Sequence, residues 1–220
     1  MKKVFVIFVL LTLTLALAAC GKDTPQQAEP ISYMQQTLYT SSSSNFRVSL
    51  SSGRSESLFI ADGKVTDVKD FATLSVVPLH VDLYNDTYTY TLTGSTGSVD
   101  GELQKDNFGA SYEGAIPSMA SIGTPQTVTL KWGDHSELFE LTDLLKDAIG
   151  ANDAKQIAQK TLAAKLEADD HDREIYVRFI NDASTPDSPY YWYVAFIHSP
   201  TDYYSVLIDP TDGTVLSVNP

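Results

Sequence analysis

Residues 206–216 have the sequence VLIDPTDGTVL, in which two short apolar runs flank a polar turn. Asp209 can accept hydrogen bonds from the backbone of the turn, Pro210 fixes its own φ, and Gly213 can take a positive φ. Apolar residues on both sides of such a turn are typical of paired strands. The stretch therefore predicts a strand, a tight turn and a closing strand.

The residues that precede this turn predict two further strands and one long helix. Apolar residues recur there with two periods. A period of two is typical of half-buried strands, and a period near 3.6 is typical of an amphipathic helix. A shorter helix is predicted over 143–149, and Asn152 is the predicted N-cap of the long one. The apolar helix positions are Ala154, Ile157, Ala158, Thr161, Leu162 and Leu166. The apolar strand positions are Ile175, Val177 and Phe179, then Trp192, Val194 and Phe196, then Tyr204, Val206 and Ile208.

This order of one helix followed by antiparallel strands resembles the PepSY domain. The resemblance covers residues 151–220 and implies a helix packed on a small antiparallel sheet. PepSY domains occur in propeptides of thermolysin-like peptidases and in many bacterial surface proteins. The resemblance therefore also implies a non-catalytic module that binds or restrains a peptidase of the cell envelope. The residues that carry it are Ala154, Ile157 and Ala158, the run Tyr191–Val194, and above all residues 206–216, which match the family's aspartate, turn, glycine and closing apolar pair.

Residues 46–142 contain short segments of alternating polarity separated by turn residues. Asp62 and Gly63 form a strong signal for a two-residue hairpin turn between strands at 58–60 and 65–68. Residues 102–118 fit either strand or loop. The pattern predicts an antiparallel sandwich or barrel. The expected fold is thus mainly β with α+β: an N-terminal antiparallel β-sandwich-like domain over 46–142, then a PepSY-like domain over 143–220 with its helix on a small antiparallel sheet.

The sequence begins with two lysines and an apolar run that ends in Leu17-Ala18-Ala19-Cys20. These four residues resemble the lipobox of bacterial lipoproteins. The resemblance implies a signal peptide over 1–19 that is removed, and acyl chains such as palmitate on Cys20. It implies at least two such chains, because one chain binds a membrane only marginally. The expected location is the extracytoplasmic face of the cell membrane, with residues 20–45 as a lipidated, flexible tether. Within this tether, Tyr33, Met34, Leu38 and Tyr39 could instead dock as an edge segment of the fold.

Two other readings of the N-terminal run stay open. It fits an ordinary secretory signal with an incidental cysteine, and it fits a single transmembrane helix. Against the helix, the run is short for a span of about 20 residues and contains Thr12 and Thr14.

Composition excludes several classes of function. The chain has 28 acidic and 15 basic residues and a formal net charge of −13, which argues against nucleic acid as a partner. Cys20 is the single cysteine, so no intrachain disulfide can form. The expected partners are the membrane, through Cys20, and a peptidase or another envelope protein.

No catalytic or metal-binding motif is apparent. The four histidines, His80, His135, His171 and His198, do not pair at the spacing of metal ligands, and we predict no metal and no cofactor. The run Asp169–Asp172 lacks the spacing and glycine of a calcium loop and is read as a solvated turn. No Gly-x-Ser-x-Gly motif is present, so no enzyme is predicted, although a Ser-His-Asp triad is spatial and stays open.

A stripe of aromatic residues is the best candidate for a functional surface. Alternation places Trp192 and Tyr204 toward the helix, and Tyr191, Tyr193 and Tyr203 on the opposite face. Exposed aromatic residues are typical of protein contact surfaces, which makes those three tyrosines the predicted protein-binding residues. The alternative is that the first domain covers this face. We expect a non-catalytic binding or regulatory protein, or else a structural subunit of a cell-surface assembly.

Overall fold

The computed structural model describes residues 29–84, 87–106, 111–182 and 188–219. Within these ranges the chain is mostly β, with thirteen strands and one helix of 11 residues. That helix, α1 (Ala151–Thr161), continues into a six-residue helical segment, α2 (Ala163–Ala168). In this part of the chain no helix combines the length and apolar character needed to cross a membrane.

The strands follow one another along the chain, and the helix intervenes between β9 and β10. Short 3-10 turns occur at Val81–Leu83 and Met119–Ser121. The strands are β1 (Ile31–Ser42), β2 (Phe46–Glu56), β3 (Val68–Pro78), β4 (Tyr88–Gly94), β5 (Ser98–Lys105), β6 (Tyr112–Ala115), β7 (Pro125–Trp132), β8 (His135–Glu140), β9 (Thr142–Asp143), β10 (Glu174–Asn181), β11 (Tyr190–Ser199), β12 (Asp202–Ile208) and β13 (Val215–Asn219).

All thirteen strands belong to one mixed sheet. Its order is β13-β12-β11-β10-β1-β2-β3-β6-β5-β4-β7-β8, and β9 pairs with β1 beside this path. Strand β1 joins the two halves, because it runs parallel to β10 on one side and antiparallel to β2 on the other. The remaining neighbours pair antiparallel.

The predicted fold class is therefore wrong. A sandwich-like domain followed by a helix on a separate small sheet does not occur, since β10 to β13 continue the sheet that contains β1 to β8. The decisive pairing brings Ile31 opposite Ile175. Alternation within a strand shows which face is buried but not which distant strand lies beside it, so this pairing left no local signal.

Strand β1 also corrects the predicted tether over 20–45. Residues 31–42 lie in the middle of the sheet, and Met34, Leu38 and Tyr39 are each less than 10% exposed. The polar residues between them, such as Gln35 and Thr37, gave this strand the composition of a linker. They are tolerated because the Thr37 hydroxyl bonds that of Ser52 at 2.6 Å, and the Gln35 side chain accepts from the Phe179 amide at 3.2 Å.

Two apolar clusters support the sheet. In the first half the sheet curls, so that side chains of β2 and β3 meet those of β4, β7 and β8; Phe46 contacts Trp132 at 5.0 Å and Phe139 at 6.3 Å between ring centroids. In the second, Ala154 and Ala158 of α1 are fully buried against β10, β11 and β12. The small alanines allow α1 to lie close to Trp192, which is 1% exposed and donates to the Ile149 carbonyl at 2.9 Å.

The turn at residues 206–216 is confirmed. The Gly213 amide donates to the Asp209 carbonyl at 3.0 Å, the Asp209 amide donates to the Thr214 carbonyl at 2.8 Å, and Gly213 has φ 77°. The Asp209 carboxylate also accepts from the Thr211 amide at 2.8 Å. The turn joins β12 to β13 and rests against α1, because a Cβ on Gly213 would lie 2.8 Å from Cδ1 of Ile157.

Three local predictions need correction. Helix α1 begins after Gly150, so Asn152 lies inside its first turn and is not the N-cap. Residues 144–149 form turns in place of the predicted short helix. Asp62 and Gly63 lie within an 11-residue connection, residues 57–67, and not in a two-residue hairpin, because β2 and β3 pair only up to Glu56 and Val68. In the ambiguous 102–118 stretch, β5 ends at Lys105 and β6 spans Tyr112–Ala115.

Candidate functional site

The sheet formed by β10, β11 and β12 has one face covered by α1 and one face turned away from it. Trp192, Val194 and Phe196 pack with the helix. Because side chains alternate along a strand, Tyr191 and Tyr193 of β11 lie on the face away from α1. Tyr203 of β12 lies on the same face, because its neighbour Tyr204 packs on the helix side. We call this surface, away from α1, the open face.

A row of four aromatic rings crosses the open face. Tyr33 stacks on Phe71 with ring centroids 5.4 Å apart and on Tyr176 at 4.7 Å, and Tyr176 meets the edge of Tyr193 at 6.4 Å. We call Phe71, Tyr33, Tyr176 and Tyr193 the aromatic row. It runs from β3 to β11 across β2, where Gly53 lies opposite Phe71 and presents no side chain that would separate the rings.

The aromatic row contains only one of the three predicted binding residues. Tyr193 is a member, whereas in the part of the chain that the structure describes no ring contact joins Tyr191 or Tyr203 to it. Tyr203 lies opposite Ile197 and is 38% exposed. Tyr191 lies near one end of β11, beside a groove of about 300 Å³ that Phe179 and Pro210 also line.

Sequence reasoning missed the other three members of the row. The alternation of β10 could have placed Tyr176 on the open face, because its neighbours Ile175 and Val177 point to the helix. Tyr33 and Phe71 had no such signal, because they join the row only through the pairing of β1 with β10 and of β2 with β3.

The connection 57–67 covers part of the open face, and we call it the β2–β3 loop. Phe59 lies over Tyr176, with ring centroids 5.3 Å apart, and Gly63 docks against the backbone of the β10 end of the sheet. A Cβ on Gly63 would lie 2.8 Å from the Asp172 carbonyl oxygen, so only glycine permits this approach. Beside Phe59 the loop presents Leu58, 71% exposed, and Ile60, 52% exposed. The open face is thus partly covered by a loop that carries apolar side chains of its own.

The hydroxyl groups of Tyr33 and Tyr193 stay neutral at ordinary pH. Burial raises the pKa of Tyr33 to about 12, and burial also raises the pKa of Tyr193. Arg178, on the same face, donates to the Tyr176 hydroxyl at 3.4 Å. A groove of about 490 Å³ extends from the row and is lined by Tyr33, Ser51, Ser55, Glu56, Ser57, Lys69, Asp70, Phe71, Thr73 and Glu113. The row therefore combines apolar rings with polar hydroxyls, a combination that suits a protein contact.

Two carboxyl groups lie beneath the β2–β3 loop. Glu174 is 0% exposed, and neither of its side-chain oxygens has a hydrogen bond of standard geometry. Burial raises the pKa of Glu174, and the nearby carboxylate of Glu56 raises it further. Glu56 is 5% exposed and accepts from the Thr66 amide of the loop at 3.1 Å. The Glu56 carboxylate therefore fastens the loop to the edge of the open face.

A pair of histidines lies close to the same edge. The rings of His171 and His198 stack with centroids 4.6 Å apart and an interplanar angle of 18°. The fold thus brings together two histidines that do not pair at metal-ligand spacing along the sequence. They meet because the start of β10 pairs with the end of β11, where Glu174 lies opposite Ile197. Their spacing along the chain carries no signal of this contact.

An ion pair lies beside the histidines. Asp169 binds Arg173, whose hydrogen bond holds the pKa of Asp169 at about 2. The Arg173 guanidinium also lies over the Tyr204 ring, 4.5 Å from its centroid. Asp169 further accepts from the Tyr204 hydroxyl at 3.1 Å. The run Asp169–Asp172, read from the sequence as a solvated turn, is thus tied to β12 through its first residue.

The predicted lipidation site Cys20 and the signal peptide over 1–19 lie outside the described residues. The residues predicted to bind protein are described, and two of the three lie apart from the aromatic row. Comparison with protein-family models, with curated proteins and with solved structures finds no match.

Proposed function

We propose that this protein is a lipid-anchored, extracytoplasmic protein of the cell membrane that binds another envelope protein and carries out no catalysis. Cys20 is the proposed site of lipidation, on the strength of the residues 17–20 that resemble a lipobox. The open face is the proposed binding surface, and the ligand is a protein segment with apolar side chains. The single observation that supports this most is the aromatic row.

The aromatic row is suited to protein recognition in two ways. Its rings stack on one another and are therefore held in fixed orientations, so that little side-chain entropy is lost when a ligand binds. Tyr33, Tyr176 and Tyr193 are each partly exposed. Aromatic side chains are enriched in protein interfaces, where the ring supplies apolar area and the hydroxyl a hydrogen bond.

The β2–β3 loop extends the same surface. Leu58, Phe59 and Ile60 are consecutive and exposed, and contiguous apolar side chains at a protein surface are typical of interaction sites. The loop lies directly over Tyr176, so a ligand on the row would contact the loop as well. The resemblance of residues 151–220 to PepSY domains supports a peptidase as the partner, whose activity this protein would modulate.

Photo-crosslinking in cells tests the proposed surface. A photo-reactive phenylalanine analogue at position 58 reports on the open face, and the same analogue at position 138 is the matched control, because Leu138 is 61% exposed on β8. We expect a defined crosslinked partner from position 58 only, and its loss when Tyr191→Ala and Tyr193→Ala are combined. A partner that is retained in the double variant, or is captured equally from position 138, would show that the open face is not the site.

A second candidate function is a structural subunit of a surface assembly. The observation that favours it is the end of the sheet at β13, where Leu216 is 48% and Val218 is 39% exposed on an edge strand. Unpaired edge strands are templates for pairing with another chain. In this case the photo-reactive group at position 216, and not at position 58, would capture one partner in stoichiometric amount.

A further inference from the structure

Three side chains at one end of the β10–β12 segment lie close enough to share an ion. A ring nitrogen of His171, a ring nitrogen of His198 and a carboxylate oxygen of Asp202 lie within 4.8 Å of one another. We call these residues the histidine cluster. His171 belongs to the segment before β10, His198 lies near the end of β11, and Asp202 begins β12.

Each imidazole ring has an oxygen atom close to its Nδ1. Nδ1 of His198 lies 3.0 Å from the Asp172 carbonyl oxygen, and Nδ1 of His171 lies 3.0 Å from the Asp169 carboxylate. Both oxygens can only accept, so the tautomer with its proton on Nδ1 suits both rings. In a neutral ring the lone pair is then on Nε2. Histidines that bind metals are held in this way, with the other ring nitrogen donating to a carboxylate or a backbone carbonyl.

The third residue, Asp202, has a carboxylate available to the same ion. Its contact with Arg173 is long, 3.5 Å, and involves Oδ1. The Arg173 guanidinium is held more closely by Asp169 and by the Tyr204 ring. Asp202 is 44% exposed and therefore can move toward a bound ion at little cost.

The local charge favours a cation. Residues 169–173 and 198–202 contain four aspartates and one arginine, so the cluster lies in a negative field. In a tetrahedral complex with metal–ligand distances of about 2.1 Å, two ligand atoms lie about 3.4 Å apart. The ligand atoms of the histidine cluster lie within 4.8 Å of one another, so they must move closer together to bind one ion. The His171 side chain is 55% exposed, so a rotation of its ring can close this gap.

We propose that His171, His198 and Asp202 bind one divalent transition metal ion, with Zn²⁺ as the best match. Two imidazoles and one carboxylate form a ligand set for borderline cations such as Zn²⁺, whereas Ca²⁺ and Mg²⁺ prefer oxygen ligands only. Water completes the coordination on the solvent side. The ion joins the segment before β10 to the start of β12 and so stabilises the edge on which the β2–β3 loop rests.

Titration of Zn²⁺ into the full chain tests this site. The protein carries Cys20→Ser, so that its one thiol does not compete for the ion. We expect one equivalent of Zn²⁺ by calorimetry. His171→Ala, His198→Ala and Asp202→Asn should each weaken the affinity at least tenfold. The matched controls His80→Ala and His135→Ala remove the two histidines that lie elsewhere, and they should bind as the parent does.

Two further readouts keep the test decisive. Co²⁺ in the same site should give the visible absorption of a tetrahedral complex, and Zn²⁺ should shift the Nε2 resonances of His171 and His198 only. Because His171 is largely exposed, His171→Ala is expected to fold, and its thermal unfolding verifies this. If Zn²⁺ does not bind, the proposal is overturned. It is also overturned if Zn²⁺ binding is unchanged in His171→Ala and matched by Ca²⁺, because the aspartates alone then attract cations.

Discussion

The ring of Tyr33 in β1 stacks on the ring of Tyr176 in β10, with centroids 4.7 Å apart and an interplanar angle of 22°. These two residues are register partners in the one parallel pairing described in the sheet. This contact lies where the two halves of the chain meet, and it forms the centre of the aromatic row. Stability and binding are coupled at this point, because the same rings serve both.

Removal of the two rings should show that they interact energetically. Stacked aromatic pairs contribute about 0.5–1.5 kcal/mol beyond the area that they bury. In a double-mutant cycle of Tyr33→Ala and Tyr176→Ala, urea unfolding should give a coupling energy of that size. The control cycle pairs Tyr33→Ala with Tyr203→Ala, three strands away, and should be additive. Additivity in the first cycle would mean that the stack adds nothing to the pairing of β1 with β10.

Replacement of Trp192 should separate its packing from its hydrogen bond. The indole Nε1 donates to the Ile149 carbonyl just before α1. Trp192→Phe keeps an aromatic ring but leaves that carbonyl without its donor, so we expect a loss of about 1–2 kcal/mol in the free energy of unfolding. Trp192→Ala should cost about 3–5 kcal/mol, because it also opens a cavity. Denaturant midpoints measure both. Equal losses for the two variants would contradict a separate role for packing, and no loss in Trp192→Phe would contradict a role for the hydrogen bond.

Glu174 should make the protein less stable as the pH rises. Burial raises its pKa above the unfolded value of 4.5, so the folded state binds the proton more tightly than the unfolded chain does. Its favourable contribution is fully present below pH 4.5 and is lost as the pH rises through the raised pKa. Glu174→Gln removes the ionisation and should increase stability at pH 7, with a flatter dependence between pH 4.5 and 7.

Thermal unfolding across that range measures the effect of Glu174. The matched control is Glu113→Gln, because Glu113 is exposed on β6. It should leave the pH dependence as it is. A Glu174→Gln variant whose stability follows the parent at every pH would show that the Glu174 carboxyl is not strained by burial.

Gly213 and Gly133 test the fit of the 206–216 turn against α1. Both have a positive φ, 77° and 52° respectively, so alanine costs about 1–2 kcal/mol at either site. A Cβ at Gly213 also lies 2.8 Å from Cδ1 of Ile157, whereas at Gly133 it meets nothing within 4 Å. Gly213→Ala should therefore destabilise more than Gly133→Ala. Equal losses by chemical denaturation would mean that Ile157 moves aside freely.

Cys20→Ser should release the protein from membranes. If two acyl chains on this residue hold the protein at the bilayer, their loss removes the anchor. Fractionation should move the protein from the membrane to the soluble fraction, and metabolic labelling with palmitate should disappear with the cysteine. Ser43→Ala, far from the N-terminal run, is the control and should stay with the membrane. A Cys20→Ser protein that sediments as before would refute lipid anchoring.

Local features of the fold could be predicted because they depend on residues close in sequence. The turn at 206–216 follows from the conformational preferences of Asp209, Pro210 and Gly213, which act within a few residues. The helical face of α1 and the alternation of β10 to β12 likewise follow from period alone. The placement of Trp192 and Tyr193 on opposite faces of the sheet could be predicted for the same reason.

The arrangement of the sheet and of its sites was decided only by tertiary structure. Strand β1 resembles a linker in composition, and its role depends on contacts such as that of Ser32 with Ile175, 143 positions away. The aromatic row and the histidine cluster arise from the same kind of contact, as strands from distant parts of the chain bring their side chains together. The order of side chains along the sequence specifies which faces of helices and strands are apolar. The free energy that selects one strand pairing over another is gained only when the whole core packs.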